Sequence, residues 1–388
     1  MTKYTTVIAD LLRPLSRSDF QKAISGYKAD YKVRSFDTYK LFMSMIFGMV
    51  TGCFSVREIE KTSMNVNKKR LYHAGLEAIK RSTFCDGLEK RNHGVFQSVF
   101  HSVVDIAQSI GSKMQKKFKD PLRIIDATTL SLCIKKFNWA KYRTTKGAVK
   151  VHMNLDGDNI MPFDACITNG NIHDVQKLHN FTQETGVIYA LDRGYVDYKS
   201  LYNIDLRGSF FVSRMKSNGT YKIVKDNSCT EGGPVLSDVH IELTGALTKK
   251  SYPKPFRKIK YYDAETKRTY EFITNDMERE AIEIAMIYKE RWQVELFFKW
   301  IKQHLKIKSF WGTSENAVYS QIWVALILSI LIWINKTLHG IEASAHDIFI
   351  RIKSTLLTKN SLIGLYTNIP DPKPPDESFQ PLLEGFKC

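Results

Sequence analysis

The strongest signal in this chain is one helical stretch that reads Y288-K-E-R291-W-Q-V-E295-L-F-F-K-W-I-K302. Tyr288, Arg291, Glu295 and Lys302 follow one another at intervals of three, four and seven residues. Because an α-helix turns about 100° per residue, these offsets place the four side chains within one narrow stripe. A carboxylate among two cations and a phenol suits a metal-dependent site that grips a phosphodiester backbone. A solvated helix face with ordinary i,i+4 pairs has the same spacing, so the spacing alone does not distinguish a functional site from such a face.

Two apolar stretches upstream each carry an acid in or at the end of a predicted strand. They read R123-I-I-D126-A-T-T-L-S-L132 and V187-I-Y-A-L-D192-R-G-Y195. Hard cations such as Mg²⁺ take several oxygen ligands, and open α/β sheets bind ligands at the carboxyl ends of their strands. An acid within an apolar strand is costly when it is buried and unpaired, so Asp126 needs a partner. The alternatives are a charge on the solvent face for Asp126 and a turn or cap role for Asp192.

Together, D126-A-T-T, D192-R-G-Y195 and the stripe on 288–302 resemble the DDE transposases of bacterial insertion sequences, and more narrowly their Y-R-E-K group. F137-N-W-A-K-Y-R-T-T-K-G-A-V-K-V-H152 and G170-N-I-H173-D174 add to the likeness, which covers about residues 120–335. The resemblance implies an RNase H-like core in which Asp126, Asp192 and Glu295 are catalytic and hold two Mg²⁺ ions, with Mn²⁺ as a substitute. It also implies cut-and-paste transposition through a hairpin intermediate, with a homodimer bridging two DNA ends.

The helical stretch then supplies the expected DNA contacts. Tyr288, Arg291 and Lys302 are expected to clamp phosphates near the cut, arginine as a fork and lysine as a point charge. Trp292 is a candidate for stacking on an extruded base, with packing in the core as the alternative. The predicted reaction is metal-dependent hydrolysis at the element ends followed by strand transfer. The rival functions are an RNase H-like nuclease that cuts without joining and a non-catalytic repressor derived from a transposase, and the complete acid triad argues against the repressor.

Bulk properties favour a polyanionic partner. The 388 residues include 57 Lys and Arg against 40 Asp and Glu, a net charge of +17, with basic patches such as N67-K-K-R70 and K113-M-Q-K-K-F-K119. The six cysteines include no C-x-x-C pair, which predicts mostly buried thiols in a reducing compartment. The apolar run 322–334 is shorter than the roughly 20 residues that span a bilayer, which predicts a buried core helix. With no signal-peptide h-region at the N-terminus, we expect a cytoplasmic, nucleoid-associated protein that binds double-stranded DNA and no membrane.

The predicted fold is α/β (α+β), with an RNase H-like core, a β-rich insertion, a helical N-terminal region and a helical C-terminal segment. Strands are predicted at 122–132, 149–156, 160–168, 187–192 and 209–215, and one continuous helix at about 277–308. Ser82 or Thr83 is predicted to cap a helix, Asp174 to cap another, and His152 to be structural. The expected divisions are 1–118 (DNA-end binding or dimerisation), 119–216 (first part of the core), 217–276 (insertion), 277–356 (last part of the core) and 357–388 (loose tail).

Overall fold

The computed structural model describes residues 6–216, 219–227, 232–305, 307 and 309–367. Its N-terminal region is helical, as predicted. The third helix begins where the Asp37 side chain accepts a hydrogen bond from the Lys40 backbone N–H, and it ends at Gly52, which has a φ of 82°. The helices of this region are α1 (Val7–Leu11), α2 (Arg17–Gly26), α3 (Thr38–Thr51), α4 (Val56–Asn65), α5 (Lys68–His73), α6 (Arg81–Lys90) and α7 (Gly94–Gly111).

A mixed sheet follows, and it has the predicted strands. β1 (Leu122–Leu132) pairs antiparallel with β3 (Lys146–Asp156), which pairs antiparallel with β4 (Met161–Asn169). On its other side β1 pairs parallel with β5 (Ile188–Leu191), and β5 pairs parallel with β6 (Phe210–Arg214). β3 and β4 form a hairpin around residues 157–160. The elements are β1 (Leu122–Leu132), β2 (Lys141–Arg143), β3 (Lys146–Asp156), β4 (Met161–Asn169), α8 (Val175–Phe181), β5 (Ile188–Leu191), a 3₁₀ turn (Arg193–Tyr195), α9 (Tyr198–Leu206) and β6 (Phe210–Arg214). Of these elements, the short β2 and the 3₁₀ turn were not predicted.

The strands predicted between 217 and 276 do not form a separate sheet. The last of them pairs antiparallel with β6, and the others continue outward from it, so the whole region extends the core sheet by four strands. The elements are β7 (Tyr221–Asp226), β8 (Val235–Leu243), α10 (Ala246–Ser251), β9 (Phe256–Asp263) and β10 (Arg268–Thr274). The extension holds the chain between the second and third predicted acids against the sheet.

The helix predicted at 277–308 is two helices, α11 (Ala281–Glu290) and α12 (Trp292–His304), with Arg291 at the junction. The backbone N–H of Arg291 bonds the carbonyl of Tyr288, three residues back, so the α-helical hydrogen-bond pattern is interrupted there. Asp276 accepts hydrogen bonds from the backbone N–H groups of Glu278 and Arg279, and this turn delays the start of α11. The prediction of one continuous helix was therefore wrong.

The C-terminal helices pack on the N-terminal ones. α13 (Glu315–Leu338) contains the apolar run 322–334, and 94% of its most apolar window is buried inside the protein, which confirms the predicted core helix. It contacts α3 and α7. α14 (Ala345–Thr355) and α15 (Gly364–Thr367) follow, and between them the chain returns to α1, where the backbone N–H of Val7 bonds the carbonyl of Thr358. The Pro-rich part of the predicted tail lies outside the described residues.

Three local predictions were wrong. α6 begins at Arg81 without a side-chain cap from Ser82 or Thr83, because Glu60 of α4 accepts the Arg81 backbone N–H instead. Asp174 stands at the start of α8 but caps nothing, because its carboxylate accepts from the Lys150 ammonium at 3.0 Å. The cysteines were predicted to be mostly buried, but of the four described ones, all free, only Cys53 is buried. Cys166 is half-buried, and Cys85 and Cys133 are exposed.

Candidate active site

The strand register brings the first two acids side by side. β1 runs parallel to β5, and the last paired positions are Ile125 and Leu191. Asp126 and Asp192 each follow by one residue, and neighbouring strands lie about 4.8 Å apart. α12 packs over β1, which places Glu295 above Asp126. A cavity of about 450 Å³ is lined by Asp126, Glu295 and Lys302, among others.

Arg291 lies at the centre of the three acids. Its guanidinium is 3.5 Å from the Asp126 carboxylate (Nη1 to Oδ2) and 2.8 Å from the Glu295 carboxylate (Nη2 to Oε1). Its charge also acts on Asp192. Burial alone would raise the pKa of the Asp192 carboxyl, but the charge of Arg291, two backbone N–H groups and the charge of Arg214 outweigh burial, so the pKa is lowered. Arg291 is 4% exposed, so it is an internal counter-ion for all three carboxylates.

Asp126 has the most perturbed ionisation of the three. Burial raises its pKa to about 6, and the negative charges of Asp192 and Glu295 add to this effect. The backbone N–H of Ala127 and the charge of Arg291 oppose it. A carboxyl that resists ionisation because it is buried, with two further carboxylates nearby, marks a place where positive charge is favourable.

Tyr288, which was predicted to contact a phosphate, is buried beside two arginines. Its ring is 5% exposed, lies 4.8 Å from Phe272, and supports the guanidinium groups of Arg291 and Arg214 at 5.6 and 5.8 Å from its centroid. Its hydroxyl is buried and has no hydrogen-bond partner among the described residues. Tyr288 therefore supports the arginines from below in this structure, and its contact with a phosphate stays a prediction.

The other two predicted contacts are accessible. Trp292 is 55% exposed, which rules out the core-packing alternative, and the Arg291 guanidinium lies 5.4 Å from its ring. It borders a cleft of about 760 Å³ whose walls include the aromatic rings of Tyr261, Tyr270 and Phe272. Lys302 is partly exposed and lines the same cavity as Asp126 and Glu295.

One group near the acids was missed, and one was predicted as structural. Arg214, the last residue of β6, pairs with Asp192 at 3.2 Å, and a basic residue ending the strand beside β5 could have suggested it. His152 is fully buried and its Nε2 lies 2.8 Å from the Thr168 hydroxyl, which fits the predicted structural role. Burial lowers its pKa to about 4, so the ring is neutral at pH 7. Its Nδ1 lies 3.7 Å from the Asp174 carboxylate.

The arrangement suits hard cations by its donor chemistry, since three carboxylates supply the oxygen ligands that Mg²⁺ prefers. Among the described residues, however, no group of three or more acidic, histidine or cysteine side chains is already arranged as a metal site. Arg291 stands between Asp126 and Glu295 instead. The three carboxylates therefore have the donor chemistry for divalent cations, and in this structure the Arg291 guanidinium contacts two of them.

Comparison with known proteins decides the family. Residues 117–331, more than half of the chain, match the family model described as the transposase DDE domain. The chain belongs to the DDE transposase family. Residues 3–77 match a domain of unknown function (DUF4372).

Relatives of this transposase carry consistent names. A Sinorhizobium fredii protein named as a transposase, y4zB, is 34% identical over 66% of this chain and 71% of its own length. A Geobacillus stearothermophilus protein named as the transposase of insertion sequence element IS5377 is 32% identical over 56% of this chain and 57% of its own length. A Synechocystis protein named for element IS4SA is 28% identical over 79% of this chain and 83% of its own.

A solved structure supports the fold. It is that of a piggyBac transposase in a synaptic complex with hairpin DNA, which aligns with a TM-score of 0.50 at 11% identity. The alignment covers 96% of this chain and 84% of the other. The RNase H-like fold class predicted for the core is confirmed. Membership of the family implies that the transposase acts on DNA and depends on divalent metal ions.

Proposed function

We propose that this transposase cuts and joins DNA with Asp126, Asp192 and Glu295 as its catalytic, metal-binding carboxylates. The observation that carries the proposal is the position of Arg291, whose single guanidinium contacts Asp126 and Glu295 and lowers the pKa of Asp192. Three acids gathered from β1, β5 and α12 around one cation form a site built for positive charge. Two bound Mg²⁺ ions, or Mn²⁺ in their place, would activate water or a 3′-hydroxyl and stabilise the leaving oxygen.

The residues of the chain have distinct tasks in this proposal. Arg291 holds Asp126 and Glu295 in position before DNA binds, and Arg214 does the same for Asp192 at 3.2 Å. A DNA phosphate would give the Arg291 fork a new partner and free the carboxylates. Lys302, in the same cavity, would hold a phosphate next to the scissile bond as a point charge.

Trp292 would stack on a base that leaves the duplex. Its ring is exposed beside an aromatic-walled cleft large enough for a nucleobase, and base stacking on an aromatic side chain contributes about 1–3 kcal/mol. An extruded base accompanies sharp bending of the DNA end. This arrangement supports a hairpin intermediate on the element end, as the Y-R-E-K group would use, and the related piggyBac structure was solved with hairpin DNA.

The full reaction would be hydrolysis at both element ends followed by strand transfer into target DNA, carried out by a homodimer at the nucleoid. The nuclease alternative predicts the first step without the second. The repressor alternative predicts neither, and the shared counter-ion argues against it, because a protein that only binds DNA gains nothing from three acids held around a buried arginine.

The test uses purified protein, a labelled duplex carrying an element end, and a target plasmid. With Mg²⁺ we expect nicked, hairpin and joined products, and with EDTA we expect none. Nicks without joined products would favour the nuclease, and binding without nicks would favour the repressor. Cleavage that continues in EDTA would refute the metal-dependent mechanism.

A further inference from the structure

A groove outside the active site runs along one face of α6 in the N-terminal region. The loop of residues 27–36, which joins α2 to α3, forms its other wall, and the volume is about 570 Å³. On α6 the groove is lined by residues 82, 83, 86 and 90, which share a face at helical spacing. From residue 82 to residue 90 the helix rises about 12 Å. One DNA strand carries a phosphate for each rise of about 3.4 Å along the helix axis, so a groove of that length can meet more than one phosphate.

The groove carries an excess of positive charge. Lys28, Lys32 and Arg34 are exposed on the loop, and none of them forms an ion pair with a residue that the structure describes. Among the described residues that line the groove, Asp86 is the only acidic one, and it pairs with Lys90 at 3.2 Å. The lining therefore lacks the anions that would balance its cations, and a polyanion would supply them.

The first turn of α6 adds backbone donors to this groove. Lys80 stands at the cap position without a side-chain cap, and the N–H of Arg81 bonds Glu60. The backbone N–H groups of Ser82 and Thr83 find no acceptor within the described part of the chain, and both residues line the groove. The positive end of the dipole of this ten-residue helix therefore lies beside the loop cations. Free N–H groups at a helix start bind anions.

A buried arginine supplies an independent sign of a missing anion. Arg91, at the end of α6, is 8% exposed and lines the groove. Its Nη2 donates to the carbonyl of Phe36, but its Nε is buried and has no hydrogen-bond partner among the described residues. A buried guanidinium without a counter-ion is costly, so an anion in the groove would stabilise it.

We propose that this groove binds phosphate groups of a DNA backbone, as a second DNA contact separate from the active site. The proposal rests on the proposed function for one point, that DNA is the polyanion this chain meets. Tyr31 and Tyr27, 73% and 46% exposed, stand at the groove and can contact sugars and bases. Tyr27 is held against the start of α7, where a Cβ on Gly94 would come within 2.4 Å of its ring.

The test compares two charge-matched double variants. Lys28→Glu/Lys32→Glu reverses two charges in the groove, and Lys353→Glu/Lys359→Glu reverses two exposed lysines in the C-terminal segment. Binding of a short duplex is measured by fluorescence anisotropy over a salt series. We expect the groove variant to lose about tenfold in affinity or more and to lower the log–log salt slope by about 1.8, which corresponds to two lost phosphate contacts. The control should change both far less.

Arg91→Gln tests the buried cation, with Arg91→Lys as a partner that keeps the charge. We expect Arg91→Gln to weaken duplex binding and Arg91→Lys to retain part of it, while thermal melting checks that both fold. Inorganic phosphate is the second probe, read as a rise in melting temperature of the wild type that the groove variant lacks. Phosphate stabilisation combined with unchanged duplex affinity in the groove variant would overturn the DNA assignment and leave a site for free phosphate.

If the groove and control variants lost duplex affinity equally, the loss would reflect the net charge of the protein, and the proposed DNA contact in the groove would be refuted. Mg²⁺-dependent cleavage by the wild type is scored on the same duplex. Its absence would refute the proposed function without touching the binding result, so the two failures are distinguishable.

Discussion

Replacing Asp126 with asparagine should stabilise the protein while abolishing cleavage. Burial and two neighbouring acids raise the pKa of this carboxyl from 3.8 to about 6, so keeping it ionised in the folded state costs about 3 kcal/mol at pH 7. The asparagine amide has nearly the same shape and carries no charge. In EDTA at pH 7.5, Asp126→Asn should therefore increase the free energy of unfolding by about 3 kcal/mol.

The stability difference between the wild type and Asp126→Asn should depend on pH. Below pH 3.8 the carboxyl is protonated in both the folded and the unfolded chain, and wild type and variant should be equally stable. Between pH 3.8 and about 6 the unfolded chain releases its proton first, so the wild type loses stability relative to the variant. Above that window the difference stays constant. Denaturant unfolding of both proteins from pH 4 to pH 8 measures it, and a difference that is absent at pH 7.5 or grows toward pH 4 would refute the reasoning.

Three further variants test the surroundings of the acids. Lys302→Ala should weaken end binding and lower the log–log salt slope by about 0.9, because one phosphate contact is lost; an unchanged slope in anisotropy titrations would contradict that role. Trp292→Ala should leave the melting temperature unchanged, since the ring is 55% exposed, but should reduce hairpin formation and the fluorescence of a 2-aminopurine at the extruded position. Asp174→Asn should cost on the order of 1 kcal/mol of stability, because Lys150 loses its partner at 3.0 Å, yet should keep wild-type cleavage in the end-duplex assay.

Much of the core could be predicted from local pattern. β1 has the predicted bounds because β-branched and other apolar residues predominate in it, and Asp126 and Asp192 are adjacent because each comes one residue after the last pair of the β1–β5 ladder, Ile125 and Leu191. The strand patterns depend on residues close together in the sequence, whereas the pairing of β1 with β5 joins distant segments. The pattern also identified α13 as a core helix: by length and composition it could cross a membrane, but 94% of its most apolar window is buried inside the protein.

What could not be predicted depends on contacts across the sheet. Helical spacing placed Arg291 on one stripe with Glu295, but it could not show that Arg291 is buried, that its guanidinium contacts Asp126 of β1, or that the helix is interrupted at this residue. Tyr288 is buried as well, since it fills the space beneath Arg291 and Arg214. Glu60, which lies on another helix, accepts the Arg81 backbone N–H at the start of α6, where Ser82 or Thr83 was predicted as the cap. No local sequence pattern reveals this contact.

The most direct test of the central claim is Asp192→Asn on a labelled element end with Mg²⁺. The side chain is about one-third exposed and the amide oxygen can still accept from Arg214, so the fold should persist. Loss of the charge should leave the metal ions poorly held, because an amide oxygen is a weaker ligand than a carboxylate. We predict that nicking and joining both collapse, as they should with Glu295→Gln, while binding of the duplex survives or tightens because a negative charge near the phosphates is gone. Cleavage by Asp192→Asn at the wild-type rate would show that the acid is structural and that the proposed active site is wrong.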